Sequence, residues 1–420
     1  MAQTAAPNRF TVANPHALAV ILDASDTRSI IASRDIFDLG GVKLWAREQP
    51  VSRELQRKLL DRQLRHPLEA CLYAEDGVTS RSLVQSVEAL LAQDTPLAAL
   101  LRPFDDRLVH SAAHIPLHPV VQLLLSAGQT SRPASFEHAV QAMALAGALM
   151  LSQGGDTRAL RQAMLCGLVH DLGEMYIDPL HGEADAERTL DPQTYRHLVV
   201  HPHVGRLLVE QLTHYPSEVA RAVGEHHERL DGSGYPNRLQ RDQISPLGRL
   251  LAVTDATLAA LRGDARHLVR ASVALRVVPG EFDLRWVGRV ADAARERPLP
   301  QAACELQALR QRVAALVNDL QALEDKAGVL VLAADTPALR GAIELAQYLL
   351  QRLRSGLGAS GLWAGADWLA QDAAEVEAVQ AELEFRLLAI QRAARLYAGQ
   401  GLTPDDEQRL KLLCEGLSPA

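Results

Sequence analysis

The stretch HHERLDGSGYP, residues 226–236, places two adjacent histidines directly before a turn that is rich in glycine and closed by proline. Upstream, the block GLVHDLGEM at residues 167–175 contributes a His-Asp pair, His170 and Asp171. Imidazole nitrogens bind zinc, iron, manganese or nickel, and carboxylate oxygens bridge metal ions well. Because the two blocks combine both ligand types, they indicate a metal site, for which we expect hydrolytic chemistry.

Histidines concentrate in the middle of the chain, where nine of the fifteen lie between residues 138 and 227. This part supplies three more candidate ligands, His138, His201 in HPHVG and Asp255 in LLAVTDATL. Seven ligands of mixed nitrogen and oxygen type fit a dinuclear site better than a single ion. Apolar residues recur at helical spacing around each block, which predicts five helices that each give one or two ligands to a shared interior.

Composition favours a mainly helical protein of two or three domains. The chain has 420 residues, and Ala and Leu dominate a hydrophobic fraction of 48%, whereas aromatic residues make up 4%. A net charge of -8 gives no support for binding a nucleic-acid polymer. No apolar run reaches the roughly 18 residues of a membrane span, and the N-terminus lacks the pattern of a secretion signal. We therefore expect a cytoplasmic protein.

Three regions follow from the sequence patterns. Residues 1–125 form an accessory region, with a hairpin expected around Asp38–Gly41 and helices starting near Ser52 and Ser80. Residues 126–298 hold the histidine blocks. The apolar spacing in residues 299–420 predicts a helical bundle or hairpin. This region either packs against the middle region or serves as a module for homodimerisation or partner docking. Four separated cysteines are read as reduced and mostly buried: Cys71, Cys166, Cys304 and Cys414.

The blocks GLVHDLGEM, HPHVG, HHERLDGSGYP and LLAVTD, in that order, resemble the HD-GYP domain, the branch of the HD phosphohydrolases that hydrolyses the bacterial messenger cyclic di-GMP. The resemblance spans about Phe136 to Phe282. It implies an all-α HD-type bundle with a dinuclear or trinuclear iron or manganese centre and a metal-bridging hydroxide as nucleophile. The family's metal ligands fall on His138, His170, Asp171, His201, His226, His227 and Asp255.

Three departures from the family pattern concern metal and phosphate. Members with a third metal carry a glutamate where this chain has Ala134, so two divalent ions are expected. The lysine of the usual HDxGK block is replaced by Glu174, and a downstream arginine and lysine by Asp264 and His267. A carboxylate near a phosphate is repulsive, which disfavours the family's usual binding mode.

The resemblance and the departures together assign roles to several residues. Asp171 is the predicted bridge between the ions. Glu174 is predicted to be a second catalytic residue, which either supports the site or acts as a general acid. Three arginines are predicted to bind the substrate phosphate: Arg249, Arg262 and Arg266. The Gly234–Tyr235–Pro236 tripeptide stops the ligand helix and, by resemblance, offers a surface for a signalling protein; Arg238 and Arg241 stand where the family has glycines.

Two functions stay open at this point. The first is a phosphodiesterase that opens cyclic di-GMP to pGpG and further to GMP. The second is a weakly active or non-catalytic HD-GYP protein that signals by binding a cyclic dinucleotide or a protein. The intact ligand set favours the first, and the missing cationic residues favour the second.

Overall fold

The structure is a computed structural model that describes residues 10–177, 192–263, 268–296, 305–360, 373–398 and 402–416. Helices dominate all three regions, and the strands of the described residues are four short ones near the N-terminus. This confirms the prediction of a mainly α fold with accessory N-terminal and C-terminal regions. Asp264, Arg266, His267 and Cys304 lie outside the described residues.

The N-terminal region contains two small antiparallel pairings. Strands β2 (Ile36–Phe37) and β3 (Lys43–Trp45) form the predicted hairpin, whose turn is closed by a hydrogen bond from the Val42 amide to Asp38 Oδ1 at 2.8 Å. Strand β1 (Ile30–Ala32) pairs with β4 (Leu72–Ala74). The helices of this region are α1 (Pro15–Ser25), α2 (Arg53–Leu59), α3 (Ser80–Ala92), α4 (Pro96–Leu101), α5 (Asp105–Ala112) and α6 (Pro119–Ser131).

Helix α2 begins as predicted and ends early. The Ser52 side chain caps it by accepting from the Glu54 amide at 3.3 Å. The sequence predicts that the helix continues to His66–Pro67, but it stops at Leu59. Asp61 adopts a φ of 55°, and the Leu64 amide donates to the Thr11 carbonyl at 2.6 Å. A hydrogen bond to a distant segment therefore replaces the last helical turns.

The middle region consists of α7 (Pro133–Ser152), α8 (Thr157–Val169), α9 (Pro192–Leu212), α10 (Ser217–Glu225), α11 (Pro246–Gly263), α12 (Leu268–Arg276) and α13 (Leu284–Arg295). Helix α7 is the one described helix that is long and apolar enough to cross a membrane, but 67% of its most apolar window is buried inside the fold. It is the central core helix, and its apolar residues join those of the N-terminal region in one hydrophobic cluster.

The C-terminal region consists of α14 (Leu306–Leu332), α15 (Pro337–Ala359), α16 (Ala373–Ala398) and α17 (Pro404–Gly416). Their apolar faces form a second hydrophobic cluster, which also contains Val269 and Val273 of α12 and Val277 directly after that helix. The intramolecular packing that the sequence allowed is therefore present. The region boundaries at residues 125 and 298 and the homodimer stay predictions.

Candidate metal centre

Five helices bring the seven predicted ligands into one cluster. His138 lies on α7, His170 and Asp171 follow α8, His201 lies on α9, His226 and His227 follow α10, and Asp255 lies on α11. Six of these residues are at most 9% exposed, and the side chain of Asp171 is 11% exposed. The sequence-predicted set is thus both assembled and buried.

Asp171 is the centre of the cluster. Its Oδ2 lies 3.3 Å from His138 Nε2 and 3.2 Å from His170 Nε2. Its Oδ1 lies 3.5 Å from His201 Nε2 and 3.3 Å from His226 Nε2. Two groups of ligand-type residues therefore share this one carboxylate: His138 with His170, and His201 with His226 and His227. Asp171 would therefore be the shared ligand if each group held an ion.

Asp255 joins the same cluster from α11. Its Oδ2 lies 3.4 Å from His227 Nδ1, and its Oδ1 lies 3.9 Å from His138 Nε2. These two histidines belong to different ligand groups. Asp255 therefore links the outer members of the groups that Asp171 joins at the centre.

Backbone carbonyls fix the orientation of two imidazoles. His170 Nδ1 lies 2.8 Å from the Gly167 carbonyl oxygen, and His226 Nδ1 lies 2.6 Å from that of Val223. A carbonyl oxygen only accepts hydrogen bonds, so each Nδ1 donates. In the neutral ring the Nε2 lone pair then points into the cluster, as in metal sites whose histidines are held by a carbonyl.

The charges within the cluster favour an ionised Asp171. Burial raises its pKa, but His170, His138 and His201 outweigh this and hold the pKa well below the usual value. Burial and His227 lower the pKa of His226 to about 3. Burial also lowers the pKa of His170, but Asp171 and Asp255 outweigh it and raise that pKa to about 9. A metal ion would displace the His170 proton, because metal binding needs the free lone pair.

The donor set matches divalent ions. His170 Nε2, Asp171 Oδ1 and Asp255 Oδ1 are buried and make no well-aligned hydrogen bond within the described residues. His201 Nε2 and His226 Nε2 lie 3.1 Å apart. A buried polar atom that lacks a partner costs about 1 to 3 kcal/mol. Metal coordination would satisfy these atoms together, so the residues fit a site for divalent metal.

Two glutamates beside the histidine pair hold the surrounding backbone. Glu228 is fully buried, and its two carboxylate oxygens accept from the amides of Asn237 at 2.7 Å and Leu239 at 2.9 Å. Burial raises the pKa of Glu228, although these two hydrogen bonds act to lower it. Glu225 accepts from the Ser245 amide at 2.8 Å and so ties the end of α10 to the start of α11. Sequence reasoning missed both, although charged residues beside buried ligands were the available signal.

The loop after the histidine pair folds back onto it. The Tyr235 ring stacks on the His227 ring, with centroids 4.6 Å apart and an interplanar angle of 22°. The Tyr235 amide donates to the His227 carbonyl at 3.1 Å. A Cβ at Gly234 would collide with that carbonyl and with the Arg229 amide, so the return path requires glycine. These contacts agree with the predicted role of the tripeptide in holding the histidines.

Glu174 lies in a short 3-10 turn, Leu172–Tyr176, directly after the His-Asp pair. A Cβ at Gly173 would collide with the His201 carbonyl, so glycine lets this turn pack directly on α9. Glu174 is 8% exposed, and its carbonyl accepts from Arg132 at 3.1 Å. Sequence reasoning missed Gly173 and Arg132, whose roles depend on which helices meet.

The predicted phosphate-binding arginines differ in their surroundings. Arg262 lies two helical turns after Asp255 on α11, and its Nη2 is 3.2 Å from His138 Nε2, at the edge of the cluster. Arg249 instead donates to the carbonyls of Ile244 at 3.0 Å and Arg241 at 2.8 Å and pairs with Asp242. These contacts hold the loop before α11 and speak against a substrate role for Arg249.

Comparisons with known proteins agree with this site. A protein-family model described as "HD domain" matches residues 125–279. Cyclic di-GMP phosphodiesterase PA4108 of Pseudomonas aeruginosa is 30% identical over 200 residues, which cover 47% of this chain and 46% of that protein. 3'3'-cGAMP-specific phosphodiesterase 1 of Vibrio cholerae is 25% identical over 187 residues, 42% of each chain. The chain thus spans less than half the length of each of these relatives.

Among solved structures, Bd1817, a HDG"Y"P protein from Bdellovibrio bacteriovorus, is 16% identical and covers 64% of this chain and 97% of its own, with a TM-score of 0.36. The family match and the block HHERLDGSGYP both lie on the segment that builds the histidine cluster. The chain therefore has an HD domain at residues 125–279, and its motif blocks are similar to those of HD-GYP domain proteins.

Proposed function

We propose that this protein is a metal-dependent phosphodiesterase that opens cyclic di-GMP to pGpG and further to GMP. The observation that carries the proposal is the single carboxylate of Asp171 shared by two groups of buried histidines. The similarity to relatives named as cyclic di-GMP and 3'3'-cGAMP phosphodiesterases supports a cyclic dinucleotide as the substrate class.

In this proposal the seven clustered residues hold two iron or manganese ions, which when bound supply a hydroxide near neutral pH and neutralise charge on the phosphate. Asp171 is ionised and bridges the two halves of the site. Arg262, beside His138 at the edge, binds a phosphate oxygen. Glu174 is buried and lies three residues after Asp171. A protonated Glu174 carboxyl would donate its proton to the leaving oxygen.

The metal centre is tested by measuring metal content. We expect about two iron or manganese ions per chain after anaerobic purification, because two ligand groups share one carboxylate. Asp171→Asn should lose most of the bound metal and more than about 100-fold of cyclic di-GMP turnover, since removing a bridging ligand disrupts both ions. Exposed Glu210→Gln on α9 serves as the control. A reproducible third ion, or no metal in the unchanged protein, contradicts the dinuclear assignment.

The replaced family lysine is the one observation behind a second candidate, a weakly active protein that signals by binding the dinucleotide; the similarity to relatives named as phosphodiesterases does not favour it. If Glu174 repels the phosphate, Glu174→Lys should tighten cyclic di-GMP binding by about five- to a hundred-fold, the equivalent of roughly 1 to 3 kcal/mol. Calorimetry and turnover at equal metal occupancy measure this, with Glu174→Gln separating loss of the negative charge from gain of a positive one. Rapid turnover by the unchanged protein, with loss in the lysine variant, would show that Glu174 serves catalysis.

A further inference from the structure

The C-terminal bundle contacts the loop that follows the ligand histidines. On α15, Tyr348 donates from its hydroxyl to the Asp231 carbonyl at 3.0 Å, and Arg352 donates to Asp231 Oδ2 at 3.2 Å. Tyr348 and Arg352 are four residues apart, so they lie on one face of the helix. The side chain of Asp231 is 6% exposed. One residue of the loop is therefore held at both its backbone and its side chain.

Asp231 also shapes the loop internally. Its other oxygen, Oδ1, accepts from the Ser233 amide at 3.0 Å and from the Ser233 hydroxyl at 2.6 Å. Two residues after Ser233, Tyr235 stacks on His227. The Asp231 carboxylate therefore connects α15 to the turn of the loop, two residues before the tyrosine that stacks on His227.

A second set of contacts fixes the residues just before Asp231. The Leu230 amide donates to the Glu281 carbonyl at 2.9 Å. Glu281 Oε2 lies 2.7 Å from Arg386 Nη2 of α16, and Arg386 Nε lies 2.6 Å from Glu382. Arg386 also donates to the Ala274 carbonyl at 3.1 Å. Buried ion pairs of this kind contribute little net stability, but they fix how two surfaces fit together.

An apolar contact completes the attachment. Val269 and Val273 on α12 and Val277 directly after it recur every four residues and are buried in the hydrophobic cluster of the C-terminal bundle. The bundle is thus anchored to α12, and its side chains Tyr348 and Arg352 contact Asp231 directly. The partner at Asp231 is a segment of the same chain.

We propose that the C-terminal bundle is an intramolecular partner of the loop at residues 228–240, and that Tyr348 and Arg352 are positioning residues of the metal centre that act through Asp231. Their effect on turnover rests on the proposed phosphodiesterase function. Their effect on the loop does not, because it follows from the contacts to Asp231 alone.

The test compares Arg352→Ala and Tyr348→Phe with a control on the same helix, Arg354→Ala. Arg354 has the same side-chain exposure as Arg352, 38%, but pairs with Glu324 inside the bundle. Hydrogen exchange of the amides at residues 229–239 in the full chain should become at least about fivefold faster in Arg352→Ala and unchanged in Arg354→Ala. Arg352→Lys should restore part of the protection, because an ammonium still pairs with Asp231.

Kinetics and metal content give the second measurement. At unchanged metal content and Tm, Arg352→Ala should lower kcat for cyclic di-GMP several-fold while KM changes little, and the effect should vanish in an Asp231→Asn background. Equal loop exchange in Arg352→Ala and Arg354→Ala would overturn the proposal, as would faster exchange with unchanged kcat. Faster exchange in a protein that shows no turnover before substitution would instead refute the phosphodiesterase function and leave the contact to the loop established.

Discussion

At the scale of single residues, two arginines of the loop at residues 228–241 adopt a backbone conformation that favours glycine. Arg238 and Arg241 have φ angles of 56° and 44°, in the left-handed region that favours glycine. These are the positions at which the sequence departs from the glycines of HD-GYP domains. Both side chains are exposed, so no burial offsets the backbone cost. This chain therefore keeps the loop conformation with strained residues.

Arg238→Gly should stabilise the protein. A left-handed conformation costs a residue with a side chain about 1 to 2 kcal/mol. Glycine loses more backbone entropy on folding, by roughly 0.5 to 1 kcal/mol. The free energy of unfolding should rise by up to about 1 kcal/mol, as measured by urea titration. Arg238→Ala, which keeps the strain, should bring no gain; an equal gain would show that loss of the arginine side chain is the cause.

At the scale of elements, one buried carboxylate joins the ligand helix to its loop. Glu228 follows His227 directly and accepts hydrogen bonds from the backbone amides of residues 237 and 239, on the far side of the turn. The loop thus closes on the end of α10 at two places, at Glu228 and at the stacked Tyr235. One contact acts on His227 itself and the other on Glu228, the residue that follows it.

Glu228→Ala should destabilise the protein by about 2 to 4 kcal/mol, because the backbone amides of Asn237 and Leu239 lose a charged, buried acceptor. Glu228→Gln keeps one acceptor oxygen and should cost about half as much. Urea unfolding of both variants measures this, with metal content followed in parallel. If the two variants are equally stable, the hydrogen bonds to Asn237 and Leu239 do not hold the loop.

At the scale of the whole molecule, the N-terminal region packs on the turn that follows the His-Asp pair. Tyr176 donates to buried Glu69 at 2.8 Å, its ring meets Phe10 edge-on with centroids 5.7 Å apart, and its carbonyl accepts from Asn14 at 3.2 Å. Burial raises the pKa of Glu69, against the hydrogen bond from Tyr176. The accessory region therefore contacts the segment that carries Glu174.

Glu69→Gln should stabilise the protein at neutral pH. Because the folded-state pKa of Glu69 is raised, its contribution to stability is present below the unfolded value of 4.5 and is lost as pH rises through the folded value. The amide still accepts from Tyr176 and carries no charge. The variant should therefore gain about 1 to 3 kcal/mol at pH 7, and the gain should disappear near pH 4. Glu75→Gln, at an exposed glutamate, is the control in the same urea unfolding series.

The sequence by itself determined the helical fold, the hairpin around Asp38–Gly41 and the residues of the cluster. Hairpin and helix signals are local, because turn residues, caps and apolar spacing act within a few positions. The ligand set could be predicted because histidine is sparse and its chemistry is specific. Nine histidines between residues 138 and 227 therefore indicate a metal site whatever the arrangement of the helices.

Only the tertiary structure decided how these parts meet. The sharing of Asp171 by two histidine groups, the contact of Arg262 with His138 and the commitment of Arg249 to a loop all depend on which helices become neighbours. The early end of α2 and the contact of Arg352 with Asp231 join residues 53 and 121 positions apart. Such contacts depend on packing of the whole chain, for which no local pattern in one sequence is a signal.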